Sequence, residues 1–189
     1  LLTRIDLPVI AFSGHVAVGA FPTDVAFDPT GARAYVTNQG SQQVGVVNVA
    51  TNTQVDVIPT GGDPFRVLVS PNGARLYVTT NANDLLALDL PAGTVHARYA
   101  LGSASSGITF HPNGVLLYGT TIGGLVYEVN TVTDSARALL TTGYLQDIAV
   151  SRDGAEMYIA KQDGPLEVRS TATGARSEEH TSELQSLAY

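Results

Sequence analysis

The chain has no cysteine and no tryptophan among its 189 residues. The lack of cysteine excludes disulfide bonds, thiolate nucleophiles and thiolate metal ligands, and it leaves the redox compartment open. Charged residues are also scarce. They make up 14% of the chain, against roughly 25% in typical soluble domains. A low charge fraction in a chain of this length indicates that many of its segments are buried.

Basic residues are few and scattered singly. Lys and Arg total 10 against 17 acidic residues, which gives a net charge of -7. No basic stripe is available to neutralise phosphates, so we expect no nucleic-acid partner and no binding to an anionic membrane surface. Apolar runs fall short of the ~20 residues that a membrane-spanning helix needs, so we also expect no membrane insertion.

Glycine, proline and short apolar segments are abundant instead, with 19 glycines, 9 prolines and 44% hydrophobic residues. A short phrase recurs among them, and one tyrosine marks each copy. These residues are Tyr35, Tyr77, Tyr118 and Tyr158, which are 42, 41 and 40 residues apart. A constant period of this size predicts a repeat architecture.

Each copy places a turn signal in front of its tyrosine. Glycine stands four residues before the tyrosine, and a residue able to accept a hydrogen bond stands seven before it. The four pairs are Asp28 with Gly31, Ser70 with Gly73, His111 with Gly114, and Ser151 with Gly154. They are typical of a type I turn with a left-handed glycine. We expect His111 to accept a backbone N–H there, with no part in catalysis.

Short β-branched and aromatic runs flank every turn, such as RVLV before it and ARLYVT after it in the second copy. Two further strand-like segments complete the period, and no copy has helical periodicity. Four short antiparallel strands in each period of about 40 residues predict an all-β chain, a β-propeller of four-stranded antiparallel blades.

The phrase also supports a closer identification. Residues 34–58 read AYVTNQGSQQVGVVNVATNTQVDVI, with YVTN in full at 35–38, and later copies drift from it. This segment strongly resembles the YVTN β-propeller repeat family, which is related to amine dehydrogenase-type and lactonase-type propellers. The family has surface-layer and periplasmic members, so the resemblance implies a cell-envelope location, periplasmic or extracellular. The lack of tryptophan excludes the Trp-Asp signature of WD-type blades.

The repeat divides residues 1–175 into predicted blades. These are the outer strands of a truncated blade at 1–21, complete blades at 22–62, 63–103 and 104–143, and an incomplete blade at 144–175. Family members commonly close a ring of seven blades, so the resemblance implies about half of a propeller whose remaining blades are missing. Alternatively, the N-terminal strand completes the last blade and closes a four-bladed ring.

The repeat gives way at 176–189 to a segment that begins RSEEHTSELQS. One interpretation is a short polar helix capped by Ser and Thr. Another rests on codons that can encode these residues, because they match a common short-read sequencing adapter. We favour the second interpretation and set 176–189 aside as a non-native tail.

Polar residues recur eleven positions before each motif tyrosine, where the innermost strand of a blade enters the central channel. These positions hold Asp24, Arg66, Gly107 and Asp147, with Thr23, Phe65, Ser106, Tyr144 and Gln146 beside them. Carboxylates and a guanidinium around a water-filled funnel predict a site for a cation, a sugar acid or a lactone. The candidate ligand-binding residues are Asp24, Arg66, Asp147, Phe65, Tyr144 and Gln146. The alternative, which we favour, is that Asp24 and Arg66 pair across neighbouring blades and fix their register.

Other groups with reactive chemistry have structural interpretations. His15 and His96 lie in outermost-strand segments, apart from each other, so no metal site is expected. The stretch GSASSG at 102–107 lacks the spacing of a nucleophile elbow and is predicted to be a loop. We therefore expect no catalytic residue, no metal and no cofactor.

Three functions stay open at this point. Nothing in the chain requires catalysis, which favours a non-enzymatic binding or interaction scaffold that takes a protein or small-molecule ligand at the channel mouth. The resemblance implies two alternatives. One is a lactonase-like hydrolase that uses Arg66 and an Asp, and the other is a propeller that supports the catalytic partner of a dehydrogenase.

Overall fold

The computed structural model describes residues 14–176. Fifteen β-strands make up their regular structure, together with one 3-10 turn at Gln39–Ser41. The strands form three four-stranded sheets and one three-stranded sheet. Each sheet is called a blade below.

The strands of each blade follow one another along the chain. Blade 1 comprises β1 (Pro22–Phe27), β2 (Arg33–Asn38), β3 (Gln43–Asn48) and β4 (Thr53–Pro59). Blade 2 comprises β5 (Pro64–Val69), β6 (Arg75–Thr80), β7 (Asp84–Asp89) and β8 (Thr94–Ala100). Blade 3 comprises β9 (Ser105–Phe110), β10 (Leu116–Thr121), β11 (Leu125–Asn130) and β12 (Ser135–Thr141). Blade 4 comprises β13 (Leu145–Val150), β14 (Glu156–Lys161) and β15 (Glu167–Ser170).

Neighbouring strands within each blade are antiparallel and pair in chain order. The predicted all-β fold of antiparallel blades is therefore confirmed. The predicted truncated blade falls largely on residues 1–13, which lie outside the described residues, and 14–21 contain no strand. Most of the predicted tail, 177–189, also lies outside them. Arg176 pairs with Arg169 just beyond β15.

The recurring phrase forms the turn between the first two strands of every blade. Its four glycines have φ between +71° and +79°, a region that is strained for residues with a Cβ. Each glycine N–H donates to the carbonyl three residues earlier, at 2.8–3.0 Å. The predicted left-handed glycine of the turn is thus confirmed in all four blades.

Apolar side chains of facing blades interdigitate to form the core. The interface of blades 1 and 2, called the first joint, buries Tyr35, Val44, Val46, Ile58, Val67, Leu76, Val78, Leu86 and Leu88. The interface of blades 2 and 3, called the second joint, buries Tyr77, Leu85, Ala87, Tyr99, Leu101, Leu117, Tyr127 and Val129. The motif tyrosine of each of the first three blades packs towards the next blade, which explains why it recurs once per period.

The inner strands of the four blades contact each other in chain order, β1 with β5, β5 with β9, and β9 with β13. Among the described residues β1 and β13 share no comparable contact. The four blades therefore form an open arc of a propeller, and the described residues do not close a four-bladed ring. Val25 and Phe27 point away from blade 2 on the free flank of the arc, and they are 52% and 58% exposed.

Candidate functional site

The candidate site lies where the inner strands begin, at the mouth of the channel. All four inner strands shift their pairing register there, at Pro22/Asp24, Pro64/Val67, Ser105/Gly107 and Leu145/Asp147. Such bulges re-aim the side chains next to them. The residues predicted from the eleven-residue offset therefore sit at equivalent irregularities in consecutive blades.

Asp24 is tied to blade 2 through its side chain. One carboxylate oxygen accepts the Val67 N–H at 3.0 Å, and the other accepts the Val25 N–H at 2.9 Å. No ion pair joins Asp24 to Arg66 in the described part of the chain. The predicted pairing of Asp24 with Arg66 is therefore wrong, and Asp24 instead links blade 1 to blade 2 by accepting a backbone N–H.

Arg66 makes the same kind of link one blade further on. Its Nε donates to the Ser106 carbonyl at 3.0 Å, and its backbone N–H donates to the Thr79 hydroxyl at 3.0 Å. Asp24 and Arg66 therefore both bind the backbone of the following blade. Their geometry supports a part in setting blade register.

Asp147 lies against the inner strand of blade 3. A Cβ on Gly107 would lie within 3 Å of both the carboxylate and the Cα of Asp147. Only glycine therefore permits this close approach of β9 to β13. Asp147 accepts its own strand's Ile148 N–H at 2.9 Å, and the residue itself is exposed at the channel mouth.

The other predicted residues differ in how freely they face solvent. Tyr144 is 57% exposed in the loop before β13, and Gln146 beside it donates to the Gln162 side chain at 3.3 Å. Phe65 is half-buried, and its carbonyl accepts the Thr23 hydroxyl at 3.1 Å. The structure brings these side chains to one end of the arc without forming a nucleophile–base pair among them.

The buried threonines of the repeated phrase were missed by the sequence analysis. Thr37, Thr79 and Thr120 are fully buried two residues after the motif tyrosine. Thr37 lies 3.0 Å from the Thr23 hydroxyl, and Thr120 lies 3.0 Å from the Ser106 hydroxyl. These bonds hold the bulged residues in place. The recurrence of threonine at that spacing was the available signal.

His111 behaves as its place in the turn predicted. Its Nδ1 accepts the Asn113 N–H at 3.1 Å. Its Nε2 therefore carries the proton and donates to the Gly154 carbonyl of blade 4 at 3.0 Å. The same side chain thus closes its own turn and links it to the next one.

A charged cluster at the turn end of the second joint was also missed. We call it the Arg75 cluster, and it comprises Arg75, Asp89, His96, Tyr99 and Asp134. Arg75 donates to Asp134 at 2.9 Å and to the Thr131 carbonyl at 2.7 Å. Because Asp134 and Thr131 belong to the β11–β12 turn, the cluster fastens blade 2 to blade 3.

His96 lies between two carboxylates of this cluster. Its Nε2 is 2.9 Å from Asp134 and its Nδ1 is 3.1 Å from Asp89. These hydrogen bonds raise the pKa of His96, although slight burial and the Arg75 charge oppose them. The hydrogen bond from His96, followed by the charge of Arg75, lowers the pKa of Asp134 against slight burial. The two carboxylates therefore favour the protonated, imidazolium form of His96.

The described part of the chain has neither a metal site nor a membrane-spanning helix. Residues 14–176 contain no group of three His, Asp or Glu side chains placed to hold a metal ion. No helix within this range has the length and apolar character to cross a bilayer.

The repeated antiparallel blades define the class of the protein as a β-propeller, of which the described residues form an arc. The chain is similar to a solved chain of hydrazine synthase from Kuenenia stuttgartiensis, with a TM-score of 0.78 and 19% sequence identity. The similarity covers 93% of this chain and 52% of that one, so the present chain spans about half of its neighbour. At this identity the likeness shows the fold alone.

Sequence comparisons add no family. No protein-family model and no curated protein sequence matches the chain. The fold itself recurs in 1557 chains of solved structures, so it specifies no activity on its own.

Proposed function

We propose that the chain is part of a non-enzymatic binding scaffold of the YVTN propeller type, with its ligand surface at the channel mouth. One observation carries the proposal. The inner strand of every blade bulges at the same point, and Asp24 and Arg66 there are bonded to the backbone of the next blade. A rim fixed in this way holds its exposed groups without further ordering when a ligand binds.

The exposed groups of the rim have the chemistry of a recognition surface. Tyr144 presents an aromatic ring and a hydroxyl, and Gln146 and Asp147 present polar groups beside it. Aromatic side chains supply contact area at small entropic expense. The ligand class that suits this surface is a polar small molecule or a protein loop. The YVTN resemblance supports a cell-envelope location, periplasmic or extracellular.

The rim can be tested with a fragment library and ligand-observed NMR on the full chain. The library contains sugars, sugar acids, lactones and organic cations. We expect hits whose signals fall in the variant Tyr144→Ala/Gln146→Ala, because both side chains are exposed at the rim. The change removes only the Gln146–Gln162 bond within blade 4. The matched control is Val132→Ser, which replaces a side chain that is 72% exposed at the opposite end of the blades.

Two results would contradict the proposal. Hits that survive the Tyr144→Ala/Gln146→Ala variant and disappear in Val132→Ser place the binding surface elsewhere. Turnover of any lactone in the library would make the protein an enzyme. Turnover is measured as hydrolysis of the lactone's ester bond over time. Thermal melts of all three proteins confirm that the comparison is made between folded chains.

A further inference from the structure

A pocket of about 310 Å³ opens in the first joint, at the turn end of the blades and away from the channel mouth. Blade 1 lines it with its β1–β2 turn and the start of β2, and blade 2 with two of its turns. The lining residues are Asp28, Pro29, Thr30, Arg33, Tyr35, Asn72, Gly73, Leu90 and Pro91. The volume is at the lower end of the range for small-molecule sites.

Hydrogen-bond donors gather on one side of this pocket. The side chains of Arg33 and Tyr35 lie next to each other in the lining, and Arg33 forms no ion pair with a carboxylate of residues 14–176. The side-chain oxygen of Asn72 accepts from Ser70 at 2.7 Å and from the Ala74 N–H at 3.0 Å. This arrangement leaves the Asn72 amino group as a further donor at the pocket.

The one carboxylate in the lining, that of Asp28, is committed to its own turn. It accepts the Thr30 hydroxyl at 2.9 Å and the Arg33 backbone N–H at 3.2 Å. Burial alone would raise the pKa of Asp28, but the turn's hydrogen bonds, led by that N–H, lower it. No ion pair joins Asp28 to the Arg33 guanidinium within residues 14–176, and Leu90 and Pro91 supply an apolar wall.

The second joint shows what such an arginine binds. Arg75 is the counterpart of Arg33 at the start of the second strand, and it holds the Asp134 carboxylate at 2.9 Å. The position in the first joint that corresponds to Asp134 is Gly93, which has no side chain. Arg33 thus occupies the same place in the fold without the carboxylate that its counterpart has.

We propose that this pocket binds a small organic carboxylate with a short apolar stem. The carboxylate accepts hydrogen bonds from Arg33, Tyr35 and Asn72, and the stem packs on Leu90 and Pro91. An arginine fork and neutral donors favour a carboxylate over a neutral group. The volume admits a single aromatic or short aliphatic acid. The site lies at the opposite end of the arc from the channel mouth and is independent of any ligand there.

The test uses benzoate as the probe and saturation-transfer NMR on the full chain. Benzamide, which has nearly the same shape but no charge, is the matched ligand. We expect saturable benzoate binding with a dissociation constant on the order of 1 mM, as for other fragment-sized ligands. Benzamide should bind at least about tenfold more weakly, because a hydrogen bond to a charged group is the stronger kind.

Two variants locate the binding in this pocket. Arg33→Gln removes the guanidinium and should weaken benzoate binding by about tenfold or more. Asn72→Asp removes the Asn72 amino donor and adds a second negative charge to that of Asp28, so it should have the same effect. The turn accepts this residue, because Asp153 makes the corresponding bonds to Ser151 and Ala155 in blade 4. Asn72→Asp therefore keeps the test decisive if Arg33→Gln does not fold.

The control variant is Arg152→Gln, which removes an exposed arginine from the corresponding turn end of blade 4. Benzoate binding should be unchanged in it. The proposal is overturned if benzamide binds as well as benzoate or if no saturable benzoate binding occurs. It is also overturned if Arg152→Gln weakens binding as much as Arg33→Gln, or if Asn72→Asp leaves binding intact.

Discussion

The first and second joints are built from equivalent strands of successive blades, yet their turn ends differ in chemistry. In the first joint Gly93 packs against Ile58, and beside them opens a pocket lined by Arg33, which has no carboxylate partner within residues 14–176. In the second joint Asp134 takes the position of Gly93 and binds Arg75 and His96. The two joints therefore differ at this left-handed turn position, where one has a glycine in apolar contact and the other a carboxylate in a charged cluster.

The buried apolar side chains of the two joints should contribute most to the free energy of unfolding, and by similar amounts. Leu88 of the first joint and Leu117 of the second are both fully buried. Leu88→Ala and Leu117→Ala should each lower the free energy of unfolding by about 2–5 kcal/mol, because each leaves a cavity in a packed interface. Urea denaturation measures both. A large loss in one variant and almost none in the other would show that the joints do not unfold together.

The charged cluster of the second joint should contribute less. A double-mutant cycle with Arg75→Met and Asp134→Asn should give a coupling energy of about 0.5–1 kcal/mol, since both side chains are partly exposed to solvent. Asn is chosen because it tolerates the left-handed backbone of Asp134, where φ is 51°. A coupling energy of zero would mean that the ion pair does not hold the blades together.

The same cluster should make stability depend on pH. The pKa of His96 is raised in the folded protein. The contribution of His96 to the stability of the fold is therefore present at low pH, and it is lost as the pH rises through the pKa that His96 has in the folded protein. The pKa of Asp134 is lowered, so its contribution is lost only in acid. The thermal midpoint should therefore fall slightly between about pH 6 and pH 8. The variant His96→Gln should remove this decline, and its persistence there would assign it to other groups.

The smallest effect is expected at the counterpart of Arg75 in the first joint. Arg33→Met should change the free energy of unfolding by less than about 0.5 kcal/mol, as for most surface substitutions. Arg75→Met should lower the free energy of unfolding more, because it removes the hydrogen bonds that Arg75 donates to Asp134 and to the Thr131 carbonyl. Chemical denaturation of the two variants side by side compares them. Equal losses would mean that Arg33 already has a structural partner.

The fold was largely predictable because its signals are local and repeated. The period of the motif tyrosines predicted the blades, and Gly31 with its equivalents predicted the turns. These features recur since each blade needs the same turn and the same tyrosine against the next blade. The β-branched runs on either side of each turn indicated where the strands of a blade lie.

The equivalence of the candidate rim positions could be predicted, but their contacts could not. The eleven-residue offset correctly aligned Asp24 with Arg66 and Asp147, because they flank equivalent bulges. It did not reveal that Asp24 bonds the Val67 N–H, since a bulge changes where a side chain points. The Arg75 cluster escaped for another reason. Its members come from separate strands and a turn of the next blade, so no spacing along the chain marks them.

The residue at the left-handed turn position has a consequence for how the blades are ordered. Four similar repeats risk pairing in the wrong sequence while they fold, because each tyrosine fits against many apolar faces. Asp134 binds Arg75 and His96, whereas Gly93 packs against Ile58. If blade 2 packed against the wrong neighbour, Arg75 and His96 would meet a glycine at the position where they need a carboxylate. The residue at this turn position therefore helps to distinguish one repeat from the next, although the repeats are otherwise similar.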